Sequence, residues 1–180
     1  MGGCDRSRAP NRVYILGAKV EAFAESIVGG SLNSWIQSTY WLWPVLEISH
    51  FIGLSLLLGG LLVIDLRLAG HFRSFDPVLV HKLLPLVLFG FGINLVTGIL
   101  FFYGDPMRYS INIGFQIKMG LVLLAGLNAG LYYWKVRPLL HHWDGNTHSP
   151  PIAKLVAYTS LAVWAGVLLC GRLIPYVGTG

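Results

Sequence analysis

Trp41-Leu-Trp-Pro-Val-Leu-Glu47-Ile-Ser-His50-Phe-Ile-Gly-Leu-Ser-Leu-Leu-Leu-Gly-Gly60-Leu-Leu-Val-Ile64 is the stretch that decides the fold. Only Glu47 and His50 in it can carry a charge. As a helix rising ~1.5 Å per residue it reaches about 36 Å, enough to cross a hydrocarbon core of ~30 Å. Lipid offers no hydrogen bonds, so every backbone group must be paired inside the segment, and a helix does that locally. Residues 80–103, 111–134 and 153–176 read the same way. Four spans joined by short polar connections predict an all-α integral membrane four-helix bundle, up-down-up-down.

Composition agrees. The 180 residues are 54% hydrophobic and 12% charged, with a mean hydropathy of +0.63. A soluble domain carries about 25% charged residues. The length fits one domain, with residues 41–180 as the membrane part. Tyr40, Trp41, Trp43, Tyr103, Tyr109 and Tyr176 mark one set of helix ends. Phe72, Phe75, Tyr132, Tyr133, Trp134 and Trp143 mark the other, as interfacial belts do.

The net charge of +5 comes from scattered cations without a dense basic run, so it points to membrane topology and away from nucleic acid. Near the span ends, the side holding loops one and three carries Arg67, Arg73, Lys82, Lys135, Arg137 and Lys154. That places those loops in the cytoplasm of a bacterial inner membrane and the termini on the periplasmic side. Cys4 and Cys170 lie in different settings and form no disulfide framework.

Residues 1–16 form a polar tail expected to be disordered. Its Arg6 stands where a myristoylation signal wants Ser or Thr. In residues 17–40, Val20, Phe23, Ala24, Ile27 and Val28 recur at helical spacing with Glu21 and Glu25 opposite. The pattern predicts an interfacial amphipathic helix, broken once at Gly29-Gly30.

Function has to be read from the polar residues inside the spans. Counting from the helix ends places Glu47, His50, Asn94, Lys118 and Arg172 in one half of the bundle, with Thr97 at comparable depth. Charged groups in a span are costly, so these predict a buried cluster with Glu47 paired to Lys118 or Arg172. A second level near the opposite interface holds Asp65, Arg67, His81 and Asn128, with Asp65, Arg67 and His81 expected to be solvated. Pro85 cannot bond the carbonyl of His81, which predicts a kink there. His141, His142 and His148, with Asp144, are weak metal candidates whose spacing matches no strict ligand pattern.

A single-chain bis-histidine haem is excluded, because His50 and His81 lie at opposite depths and no other span contains a histidine. A haem b with His50 as one axial ligand and Lys118 or water as the other remains. Catalytic triads, phosphate-cradling loops and a second Glu-x-x-His pair are missing from the sequence, which speaks against an enzyme.

The run from His50 to Arg67, Phe115-Gln-Ile-Lys118 with Asn128, and Ala165-Gly-Val-Leu-Leu-Cys-Gly-Arg172 resemble an uncharacterised family of bacterial four-helix membrane proteins over residues 35–178. More distantly, the chain is similar to copper-resistance D-type domains and to the haem-associated bacterial protoporphyrinogen oxidase. The latter likeness implies haem at His50 and Lys118. Where the closer family often ends its third helix in His, this chain has Tyr133. Three functions follow as expectations. One is a structural or assembly subunit of a larger membrane complex, partnered by other subunits or further copies. Another is a haem-binding redox protein. The third is a small ion, proton or metal conduit through Glu47, His50 and Lys118.

Overall fold

The computed structural model describes residues 12–71, 82–140, 149–174 and 176; among these it holds helices and no strand. Two short helices, α1 (Arg12–Ile27) and α2 (Ser31–Ser38), lead in. Gly29 between them takes φ +76°, a left-handed conformation glycine adopts without a Cβ penalty. The break therefore falls at Gly29-Gly30, as the pattern predicts, while α1 begins at Arg12, ahead of residue 17. Ala24, Ile27 and Ile36 are buried, and Glu21 and Glu25 are exposed.

Four helices are long and apolar enough to span a membrane: α3 (Leu42–Ala69), α4 (Leu84–Gly104), α6 (Ile113–Leu140) and α7 (Pro151–Leu173). The short α5 (Pro106–Ile111) joins α4 to α6. The protein is a multi-pass, all-α membrane bundle. Both α3 and α6 have 28 residues, about 42 Å each, so their ends project beyond the hydrocarbon. Pro85 lies in the first turn of α4, where a missing N–H costs nothing. The expected kink is thus replaced by a helix start; His81 itself lies outside the described residues. Within α6, Tyr132–Val136 form a π turn in which the Arg137 N–H reaches back to the Tyr132 carbonyl. Pro138 explains it, since proline cannot bond the carbonyl four residues before it and crowds that turn.

α2 is tied to the bundle by side chains. Asn33 Nδ2 donates to the carbonyls of Tyr103 (2.7 Å) and Gly104 (3.2 Å), and Gln37 Nε2 donates to the Gly104 carbonyl. These are the last carbonyls of α4, which no helical N–H can reach.

The spans pack in the order α4–α3–α7–α6, and α4 and α6 scarcely touch. Small residues knit α3 to α4. A Cβ on Gly90 would stand 2.7 Å from both the Gly53 oxygen and the Leu57 nitrogen, and one on Gly60 2.5 Å from Val87. The larger apolar core lies toward the loop end of the bundle, where Leu57, Ile64 and Leu68 meet Val87, Val136 and Val156. A smaller cluster of Ile36, Leu42 and Leu46 closes the terminal end, beneath α2.

Candidate functional site

The polar residues inside the spans gather at two levels. At the terminal level, His50 on α3 faces α4: its Nδ1 lies 2.7 Å from Thr97 Oγ1, and its ring packs edge-on against Phe101 at 5.6 Å between centroids. Thr97 is buried and its hydroxyl bonds back to the Ile93 carbonyl at 2.7 Å. A hydroxyl has one proton, so with that proton on Ile93 the oxygen accepts from His50 Nδ1. In the neutral ring this leaves Nε2 as the accepting nitrogen. Asn94 sits in the same seam, where its Nδ2 donates to the Gly90 carbonyl at 2.9 Å and its Oδ1 is buried without a hydrogen-bond partner. Lys118 on α6 is half-buried within electrostatic reach of His50, its Nζ lying 3.6 Å from where a Cβ on Gly171 of α7 would be. His50, Asn94 and Thr97 thus share one seam, with Lys118 within electrostatic reach of it.

Glu47 and Arg172 do not join them. Both are exposed, and among the described residues no ion pair links Glu47 to Lys118 or to Arg172. The inward line of α3 runs through Leu42, Leu46, Gly53 and Leu57. Glu47 shares its outward side with Ile48 and Phe51, which are 60% and 65% exposed. Five residues from the helix start, about 8 Å, its carboxylate can reach the headgroups. Arg172 is next to the last residue of α7, and its guanidinium lies 5.9 Å from the Tyr176 ring centre. Depth counting locates a residue along a helix but not around it.

The loop level holds more than expected. Asp65 and Arg67, read from the sequence as solvated, are buried at 3% and 2% exposure. The α3 end on which they sit is walled by α7 and the lower half of α6, so water reaches neither. Asp65 accepts a hydrogen bond from Ser160 of α7, while its Oδ2 is buried with no hydrogen-bond partner. Asn128 Nδ2 donates to the Val156 carbonyl at 3.0 Å, tying α6 to α7. Asp65, Asn128 and Ser160 all line a cavity of about 200 Å³ between the four spans, whose remaining walls include Leu57, Phe91 and Trp164. α4 and α6, which both line it, have little backbone contact with each other.

Ser160 is the residue the sequence reading misses. From the start of α7 it lies about 13 Å deep, against about 6 Å for Asp65 from the end of α3, so matched depth gives no signal. A lone hydroxyl on the small-residue face of α7, beside Ala157 and Ala153, is the only hint.

His81, His141, His142 and His148 lie outside the described residues. Among those described, no group of three or more His, Cys, Asp or Glu side chains could hold a metal ion. Cys170 is a free thiol. For haem, His50 fits as a ligand because Thr97 fixes its ring, the device that commonly orients ligating histidines. The 200 Å³ cavity, however, lies at the other level, and neither His50 nor Lys118 lines it. Comparison with known proteins adds no identity: no family model, curated protein or solved structure matches the chain.

Proposed function

We propose that this chain is a small integral membrane subunit that works by assembling with other membrane helices, as a structural component of a larger complex. The observation that carries the reading is the outward face of α6. Gly120, Leu123, Leu127, Gly130 and Trp134 follow a heptad-like stripe, all exposed, with Leu127 at 74% and Trp134 at 75%. A Cβ on Gly120 or Gly130 would meet nothing within 4 Å. Glycine inside a helix costs about 1 kcal/mol relative to alanine. At Gly53 and Gly90 close approach of α3 and α4 offsets that cost; at Gly120 and Gly130 nothing among the described residues does. Small residues between large ones let a second helix approach closely. The bacterial cytoplasmic membrane is the setting we favour. The loop-end cations Lys82, Lys135, Arg137 and Lys154 support cytoplasmic loops and periplasmic termini.

The test is native electrophoresis and in-membrane cross-linking of wild type and Gly130→Leu. A stoichiometric membrane partner should accompany wild type and be lost from the variant, whose thermal stability stays unchanged. A chain that runs alone at monomer size before and after the substitution would remove the reading.

One observation favours a second reading, haem-linked redox chemistry at His50: its Nδ1 is held by Thr97 at 2.7 Å, which leaves Nε2 as the ring nitrogen for a metal. Purified protein would then show a Soret band that shifts with dithionite and disappears in His50→Ala. Colourless protein from haem-replete cells would end it.

A further inference from the structure

We propose that the cavity beside Asp65 is a binding site for a membrane amphiphile with a hydrogen-bond-donating head and an apolar body. Asp65 lines the cavity at 3% exposure, and its Oδ2 has no hydrogen-bond partner. An unpaired buried acceptor costs about 1–3 kcal/mol, and a donor arriving through the cavity would remove that cost. Two polar side chains at this level are already committed: Ser160 bonds the carboxylate, and the Asn128 amide donates to Val156. Beyond these, the Tyr132 phenol and the Trp164 indole carry polar atoms, and the remaining lining is apolar, ending at Phe91 and Trp164, whose rings meet edge to face at 6.4 Å between centroids.

Position along the spans sets the orientation of the ligand. Asp65 is about 6 Å from the end of α3, at the rim of the hydrocarbon, and Trp164 is about 20 Å into α7. A head at Asp65 and a tail toward Trp164 therefore follow the alignment of lipids in one leaflet. The volume of about 200 Å³ exceeds the ~150 Å³ cavity that holds a benzene, and the weak α4–α6 contact gives entry from the bilayer. A hydroxyl and an ammonium share the donor chemistry; a carboxylate head would set like charge against Asp65.

Trp164 supplies the readout. Purified protein in nanodiscs is titrated with 11-bromoundecanol, 11-bromoundecylamine, 11-bromoundecanoate and 1-bromoundecane, whose bromine quenches indole fluorescence on contact. Trp164→Phe identifies the signal that belongs to the cavity. Saturable quenching by the alcohol, the amine or both is expected, with the bromoalkane giving only a linear, partition-like response. Asp65→Leu should weaken the apparent affinity at least tenfold. Gly126→Leu is the independent variant: Gly126 lines the cavity, a Cβ there meets nothing within 4 Å, and Asp65 is left in place. It should also abolish saturation. Equal quenching by all four probes, tightest binding by the carboxylate, or unchanged affinity in both variants would overturn the proposal.

Discussion

Replacing Gly90 by alanine should loosen the bundle, although alanine is the better helix former. The added Cβ would lie 2.7 Å from the Gly53 oxygen and the Leu57 nitrogen and 3.0 Å from Leu56 Cβ. Ordinary contact begins at 3.4 Å, so α3 and α4 would have to part by about 0.7 Å, a typical case of overpacking. Two of the three obstacles are backbone atoms and cannot rotate aside. Overpacking of this kind costs about 1–3 kcal/mol, and the intrinsic gain of alanine over glycine returns about 1 kcal/mol. The net expectation is a loss of up to about 2 kcal/mol. Gly92, two residues along the same helix, is the control, because a Cβ there meets nothing within 4 Å. Gly92→Ala keeps the propensity gain without the clash and should be neutral or stabilising. Reversible unfolding in mixed micelles, followed by circular dichroism, measures both against wild type. A Gly90→Ala variant as stable as Gly92→Ala would refute the close approach of α3 and α4.

Three other substitutions probe the remaining joints. Asn33→Ala removes its two bonds to the end of α4 and should speed amide exchange in α2 while leaving α7 protected; unchanged exchange would mean that Gln37 and the apolar side suffice to hold the helix. Asn128→Leu deletes the bond to Val156 and should cost about 0.6 kcal/mol, at most about 1.7, as interhelical bonds in bilayers do. In α5, outside the spans, burial pushes the Tyr109 phenol up, opposed by Arg108 and reinforced by Asp105 and Glu47. The neutral phenol is the form the fold favours. Its contribution is complete below the ordinary phenol value near ~10 and is lost as pH rises through the raised one. Alkaline difference spectra of wild type minus Tyr109→Phe should therefore show a late-titrating phenol.

The spans and the broken lead-in helix are legible in the sequence because their signals are local. Apolar length makes Leu42–Ala69 a span, and Gly29-Gly30 interrupts a helical period. The Pro85 misreading is local too: the same missing N–H bends a helix interior and opens a helix start, and only the boundary separates the two. The site was half legible. Depth brought His50, Asn94 and Lys118 to one level, but which side of α3 faces α4 depends on where glycines allow contact. That rotation turns Glu47 outward and His50 inward. Asp65 is hidden from the sequence for the opposite reason. Near a helix end it reads as solvated, yet the ends of α6 and α7 extend past it and close over it.

What Asp65 does for the fold can be separated from what it does for a ligand. A bundle that needed only to pack would gain by filling the cavity, because a buried carboxylate with an unpaired oxygen carries a desolvation cost that Ser160 offsets in part. Leucine at position 65 would remove that cost and occupy part of the empty volume, leaving the Ser160 hydroxyl to bond back to its own helix. Asp65→Leu should thus equal or exceed wild type in stability by about 1–3 kcal/mol while losing amphiphile binding. If Asp65 instead holds the spans together through contacts with its neighbours, removing one partner of a buried charged network would cost about 3–5 kcal/mol. The sign of the stability change in ligand-free micelles therefore discriminates between a residue kept for a ligand and one kept for the fold, and a loss of several kcal/mol would assign it to the fold.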